Sequence, residues 1–174
     1  MKKRYFFIIS CIVLSIIFFI PLEDALTFTE TKVEKVQMYY LPLHDGQQFQ
    51  IVFTHSIHKT DVIESYEVLA NNDLRLLSMQ YEDVAVGMPG YAEVGQTLAY
   101  ANGVYTLMYD DAIVPNFNLF VASIDAKLQL IYQVNHIDLK RQLVKGKSYL
   151  FEVKKLSLYE KMKGVRLYGE RKAQ

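Results

Sequence analysis

The stretch FQIVFTHSIHKTDVIESYEV, residues 49–68, contains two segments of alternating apolar residues around a polar interruption. Successive side chains of a β-strand point to opposite faces, so Phe49, Ile51 and Phe53 share one face of the first segment. Two such segments joined by a few polar residues are typical of a β-hairpin. The stretch therefore predicts two neighbouring antiparallel strands.

The register of this hairpin is predicted by requiring both strands to place their apolar residues on the same face. A turn centred on Lys59 and Thr60 meets this requirement. The opposed pairs are then His58 with Asp61, His55 with Glu64, Phe53 with Tyr66, and Ile51 with Val68. The sequence thus predicts a polar His55–Glu64 pair at the end of an apolar row, beside Lys59 and Thr60 at the tip.

The His55–Ser56 dipeptide raises the question of a catalytic or metal site. On a continuing strand the two side chains point to opposite faces, which is the wrong geometry for a nucleophile and its base, and the chain has no Gly-x-Ser-x-Gly elbow. His55 and His58 would also lie on opposite faces, which disfavours a shared metal ion. We expect no catalytic residue, no metal and no cofactor here. Two interpretations remain: a polar lid on the core, or a rim that contacts a small anion or a partner protein.

The chain beyond residue 34 indicates a mostly β domain. Short runs rich in Tyr, Phe, Val, Ile and Leu alternate with turn residues. The predicted strands cover residues 36–43, 47–54, 62–70, 74–81, 104–109, 117–123, 128–133, 137–143, 149–154 and, more weakly, 163–168. Residues 156–163 are the one candidate helical segment outside the N-terminus, and residues 82–100 are expected to be irregular. Because the connections are short, we expect an antiparallel β-sandwich or an open barrel.

The first 22 residues predict a membrane anchor. Lys2, Lys3 and Arg4 precede 18 uncharged, mostly apolar residues, 5–22. A helix of that length would reach about 27 Å, close to one hydrocarbon core, and it would contact lipid throughout. Basic residues stay on the cytoplasmic side, so we expect a single-pass protein of the cell membrane with an extracytoplasmic domain. A cleaved signal and a lipoprotein modified at Cys11 are the alternatives.

These features predict a domain organisation: a transmembrane helix over residues 1–22, a tether over 23–34 and an exported β-rich domain over 35–174. Cys11 is the only cysteine, so the exported part forms no disulfide. The chain has 19 Lys and Arg and 19 Asp and Glu, so the part beyond Arg4 carries a formal charge of −3. That charge disfavours nucleic acid as a partner.

Three segments of the chain resemble a known family, domain of unknown function 1850. They read FTHSIHKTDVIESY at residues 53–66, AVGMP at 85–89, and IDL at 137–139 followed by GKSYLFEV at 146–153. His58 and Asp61 stand where this family's pattern has Glu and Pro, and Ala85 stands where it has Gly.

The resemblance implies a short exported bacterial protein with one N-terminal membrane segment, associated with tripartite (TRAP-type) transporters that use TAXI-type solute-binding proteins. The residues that match the motif are the candidate binding residues His55, Ser56, Lys59, Thr60, Glu64 and Tyr66, and the turn-shaping residues Gly87 and Pro89. The leading hypothesis is an extracytoplasmic accessory or binding module that assists such a transporter by contacting its permease or its solute-binding protein. A small envelope hydrolase that uses His55 with Glu64, and a purely structural envelope protein, are the alternatives.

Overall fold

The computed structural model describes residues 2–44, 47–84 and 87–171, which form two β-sheets and three helices. The helices are α1 (Lys2–Phe19), α2 (Leu139–Gln142) and α3 (Leu158–Lys163). The strands are β1 (Glu23–Glu30), β2 (Met38–Pro42), β3 (Gln48–Thr54), β4 (Asp61–Val68), β5 (Leu74–Tyr81), β6 (Gln96–Ala101), β7 (Val104–Val114), β8 (Asn116–Val121), β9 (Leu128–Tyr132), β10 (Asn135–Asp138), β11 (Lys147–Leu156), β12 (Val165–Arg166) and β13 (Glu170–Arg171).

The two sheets have different sizes. The smaller has the order β12-β2-β1-β11-β8, and the larger has the order β13-β10-β9-β3-β4-β5-β7-β6. The strand pairs are antiparallel except that β12 runs parallel to β2. β7 and β8 are separated only by Pro115, where the chain passes from the larger sheet to the smaller.

The main core lies between the sheets. Leu26, Phe28 and Phe151 from the smaller sheet belong to the same buried cluster as Ile51 and Leu130 from the larger sheet. A second cluster forms on the larger sheet around Val62, Tyr81 and Leu107. Two sheets packed face to face over a shared core form a sandwich-like fold, which confirms the mostly β prediction and favours the sandwich over the open barrel.

The predicted tether over residues 23–34 is wrong for its first eight residues. Glu23–Glu30 is β1, and it lies inside the smaller sheet between β2 and β11. Ala25, Leu26, Thr27 and Phe28 are all buried because both faces of this strand are covered. The β domain therefore begins at Glu23, and the predicted start at residue 35 is corrected.

The predicted register of the β3–β4 hairpin is also wrong. Glu64 opposes Ile51, Tyr66 opposes Phe49, and Val62 opposes Phe53, so the predicted His55–Glu64 pair does not form. Between the predicted and the observed registers, the β4 partner of each β3 residue differs by four positions. A slip by an even number of residues leaves every side chain on its original face, so alternation cannot distinguish the two registers.

Two further segments differ from the predictions. Residues 137–143 do not continue as one strand, because the Asp138 side chain accepts hydrogen bonds from the backbone N–H groups of Lys140 and Arg141 and starts α2. The stretch 82–100, expected to be irregular, contains most of β6. The short helical segment predicted at 156–163 is present as α3, with a Ser157–Glu160 capping box.

The N-terminal segment forms α1, and its end packs against the domain. The rings of Phe18 and Phe19 lie 5.9 and 5.0 Å from the ring of Tyr159 on α3. None of the helices in the described ranges is both long and apolar enough to traverse a bilayer. The structure therefore does not support the predicted transmembrane helix.

Candidate functional site

The β3–β4 loop, residues 55–60, places the His55–Ser56 corner at one end of the larger sheet. The His55 backbone N–H donates to the Thr60 carbonyl at 2.8 Å, and the Lys59 N–H donates to the His55 carbonyl at 3.0 Å. Lys59 adopts a φ of 60°, in the left-handed region. This closed loop replaces the predicted turn centred on Lys59 and Thr60, and it moves His55 beyond the last paired residues of β3.

The two histidines of this loop stack on each other, with 5.1 Å between ring centroids. The His58 backbone N–H donates to His55 Nδ1 at 3.3 Å, so the proton of a neutral His55 ring lies on Nε2. His58 Nδ1 lies 3.0 Å from Asp83 Oδ2 in the following β5–β6 connection. The loop histidines are thus occupied with local structure, and neither contacts Glu64.

Glu64 and Tyr66 form the second group of predicted site residues, and the structure brings these two together. The Tyr66 hydroxyl donates to Glu64 Oε2 at 2.8 Å. The Tyr66 ring stacks between Phe49 and Phe117, at centroid distances of 5.2 and 5.5 Å. Aromatic packing on both sides fixes the phenol, so the carboxylate has a rigid partner.

The electrostatics of Glu64 are dominated by its burial. Desolvation raises the pKa of Glu64, and the bond from Tyr66 lowers it by a smaller amount. Burial and the neighbouring carboxylate raise the pKa of Tyr66, and burial followed by the charge of Glu64 raises the pKa of Tyr109. Glu64 therefore retains a proton to a higher pH than an exposed glutamate.

We expect Glu64→Gln to stabilise the protein at neutral pH by about 1 kcal/mol. The unfolded chain loses the Glu64 proton near the ordinary pKa of 4.5, whereas the folded protein retains it to a higher pH. The free energy of unfolding of the wild type therefore falls as the pH rises from the ordinary glutamate pKa to the raised pKa of Glu64 in the folded protein. Glutamine stays neutral and its carbonyl can accept the Tyr66 bond. Urea unfolding of both proteins measures the difference, which should vanish below pH 4.5.

Glu34→Gln is the matched control for this experiment, because Glu34 is exposed. We expect it to leave the free energy of unfolding at neutral pH unchanged. A Glu64→Gln protein that is less stable than wild type at neutral pH would contradict the assignment of Glu64 as a carboxylate that is costly to ionise.

A groove of about 340 Å³ opens beside the loop, and its lining is mainly apolar. His55 and Ser56 line it from the loop, Phe53 from β3, and Leu119 and Phe120 from β8. Lys59, Thr60, Glu64 and Tyr66 are not part of this lining. The predicted binding residues are thus divided between a groove at the corner and a hydrogen-bonded pair on the inner face of β4.

A larger cavity of about 600 Å³ lies next to the groove. Its cationic lining residues are Lys127, Lys140, Arg141 and Lys145, and its acidic ones are Asp125 and Asp138. Sequence reasoning missed this cavity, because its residues come from two separate loops and α2. The basic run LKRQLVKGK at 139–147 was the one local signal for it.

The turn-shaping residues lie in the β5–β6 connection. Gly87 has a φ of 89°, which a residue with a side chain rarely adopts. The Pro89 carbonyl accepts a hydrogen bond from the Tyr81 hydroxyl at 2.5 Å. Ala85 and Val86 of the same motif lie outside the described residues. In the parts of the chain that the structure covers, no group of three or more His, Cys, Asp or Glu residues could hold a metal ion.

Residues 49–139 match the family model described as domain of unknown function (DUF1850), and this range is more than half of the chain. The chain belongs to this family. The comparisons with curated proteins and with solved structures found no match. The DUF1850 range contains the hairpin, its loop, Gly87 and Pro89. It ends at Leu139, so it includes one of the four cavity cations, Lys127, and excludes Lys140, Arg141 and Lys145.

Proposed function

We propose that this protein is an extracytoplasmic accessory binding module, held at the membrane by α1, that assists a TRAP-type transporter with a TAXI-type solute-binding protein. The observation that carries the proposal is the groove at the His55–Ser56 corner, whose lining apart from Lys140 lies in the part of the chain that matches the family. Binding surfaces are typically concave and mostly apolar with a few polar groups, and this groove has that character.

The groove also offers an exposed contact surface for a partner. Phe120 is 59% exposed and Ile124 is 51% exposed, and both line the groove. Exposed aromatic and aliphatic side chains around a concavity are typical of sites where a protein partner docks. We therefore propose that the permease or the solute-binding protein contacts the domain here.

The N-terminal helix supports the proposed location. Its basic residues Lys3 and Arg4 are exposed at the beginning, and no charged residue follows before Glu23. Among the α1 side chains that the structure describes, the exposed apolar ones include Tyr5, Phe6, Ile9, Ile16, Ile17 and Phe19. An apolar surface of this kind favours contact with lipid, and the exposed basic residues favour anionic headgroups. We propose that α1 attaches the domain to the outer face of the cell membrane.

The hydrolase alternative required His55 and Glu64 to act together, and the observed register removes that pairing. Glu64 is bonded to Tyr66 instead, and His55 Nδ1 accepts from the backbone of His58. An accessory binding role requires no such pair, which is why we favour it.

We expect Phe120→Asp to reduce the amount of transporter subunit recovered with the full-length protein from solubilised membranes by at least fivefold. A charge in the centre of an apolar contact is costly to desolvate. Val134→Asp is the matched control, because Val134 is 60% exposed and lies outside the groove. It lies in the β9–β10 turn, whereas the groove is lined by Leu128 at the opposite end of β9. Recovery of the subunits is measured by mass spectrometry. Recovery of no transporter subunit by the wild type, or equal recovery by both variants, would overturn the proposal.

A further inference from the structure

The apolar groove and the cationic cavity are adjacent and share part of their lining. The shared residues are Ile124, Ala126, Lys127, Leu128 and Lys140. The two concavities therefore adjoin each other, and Lys127 and Lys140 line both. A ligand that occupied the groove would have one end beside these cations.

The lining of the cavity carries a net positive charge even when Asp61, which pairs with Lys127, is counted. Four cations line it against Asp125 and Asp138, whereas the chain as a whole has no formal net charge. Both oxygens of Asp138 are already engaged, Oδ1 by the backbone of α2 and Oδ2 by Arg141 Nε at 3.3 Å. The carboxylate of Asp61 pairs with Lys127, and Lys140 donates to the Ile124 carbonyl. These contacts position the cations around the cavity.

We propose that the joined concavities bind a single-chain anionic amphiphile, a medium-chain carboxylate, with its apolar chain in the groove and its head among the cations. Charge complementarity selects the anionic head, and the lining of Phe53, Leu119, Phe120 and Ile124 selects the chain. A volume of about 340 Å³ lies at the lower end of the range for ligand pockets, which fits one chain better than the two chains of a phospholipid. This inference rests on the proposed binding role of the groove and names its ligand.

Photoaffinity labelling of the full-length protein tests the proposal. The protein is reconstituted in phosphatidylcholine nanodiscs and irradiated with a decanoate analogue that carries a diazirine in its chain, and the labelled peptides are mapped by mass spectrometry. We expect labels in residues 53–56 and 119–128. Unlabelled decanoate should compete, octanoate should compete roughly tenfold less well because it lacks two methylene groups, and uncharged decanol should compete least.

The cationic end is tested by the double variant R141Q/K145Q. We expect the decanoate concentration needed for half-competition to rise roughly fivefold, the effect of removing two partly screened charges. K35Q is the matched control, because Lys35 is exposed in the β1–β2 connection and lines neither concavity. It should leave the competition curve unchanged.

Several results would overturn this inference. Labels confined to residues 2–22, equal competition by decanol and decanoate, or labelling of the groove by a photoreactive phospholipid but not by decanoate would each do so. Co-purification of a transporter subunit with the same protein preparation separates the two proposals. If the subunit is recovered and decanoate does not label the groove, only the ligand assignment fails. If decanoate labels the groove and no subunit is recovered, only the transporter role fails.

Discussion

Replacing Phe151 with alanine is expected to lower the free energy of unfolding by about 3–5 kcal/mol. Phe151 on β11 is fully buried. It opposes Phe28 on β1 and Phe117 on β8, with ring centroids 4.7 and 4.9 Å away. Its ring also lies 5.4 Å from Phe49 of the other sheet. The substitution removes the ring that joins three neighbouring strands to the opposite layer, and the cavity left behind adds to the lost burial. Urea unfolding of the full-length protein measures the change.

Phe120→Ala on the edge strand β8 is the control for Phe151→Ala. The two phenylalanines are on neighbouring strands of the same sheet, but Phe120 is 59% exposed. Its removal should change stability by no more than about 0.5 kcal/mol. Similar losses from both substitutions would mean that the core does not lie between the two sheets as described.

Leu26→Ala is expected to cost about 2–5 kcal/mol of stability. Leu26 lies in β1, is fully buried in the inter-sheet core and opposes Val153 on β11 and Leu41 on β2. If residues 23–34 were a tether, as their composition predicts, this substitution would have almost no effect. Thermal or urea unfolding thus tests directly whether the β domain includes the segment that follows α1.

Leu22→Ala is the matched control for Leu26→Ala. Leu22 is four residues earlier in the chain and 71% exposed, so its truncation should change stability by no more than about 0.5 kcal/mol. Equal effects of the two substitutions would contradict the placement of β1 inside the smaller sheet. A loss of stability confined to Leu26→Ala would confirm that β1 is a central strand, which residues 20–22 connect to α1. The domain would then be held close to any surface that α1 binds.

The alternation of apolar residues was sufficient to predict most of the larger sheet. The prediction for β5 has the observed bounds, and those for β3, β4 and β9 differ from the structure by one or two residues at an end. These strands have one face on the core and one facing outward, and such half-burial produces a period of two in the sequence. β1 was missed for the opposite reason. It is buried on both faces, so its apolar residues do not alternate, and the acidic residues Glu23, Asp24 and Glu30 at its ends are typical of an exposed segment. In the structure Glu30 lies 3.0 Å from the Lys147 ammonium.

The candidate site was predicted only in part. The His55–Ser56 corner was identified from the hairpin and lies in the groove lining, and the Glu64–Tyr66 bond joins two residues that the motif had singled out. The cationic cavity was missed because Lys127 and Arg141 are brought together by the pairing of β9 with β10 and by α2. Proximity of this kind depends on strand order, which local pattern does not contain.

The sequence by itself determined the strand content, the inward face of each hairpin strand and the identity of the family, because these depend on local periodicity and on short motifs. Only the tertiary structure decided the register of β3 on β4, the inclusion of β1 in the core and the adjacency of the groove and the cationic cavity. A slip of four residues leaves every side chain on its face, so the choice between registers depends on the loop hydrogen bonds of His55 and on the stacking of Tyr66 with Phe49 and Phe117. The loop hydrogen bonds are local, but the ring of Phe117 is remote in the chain and meets Tyr66 only when both sheets are in place.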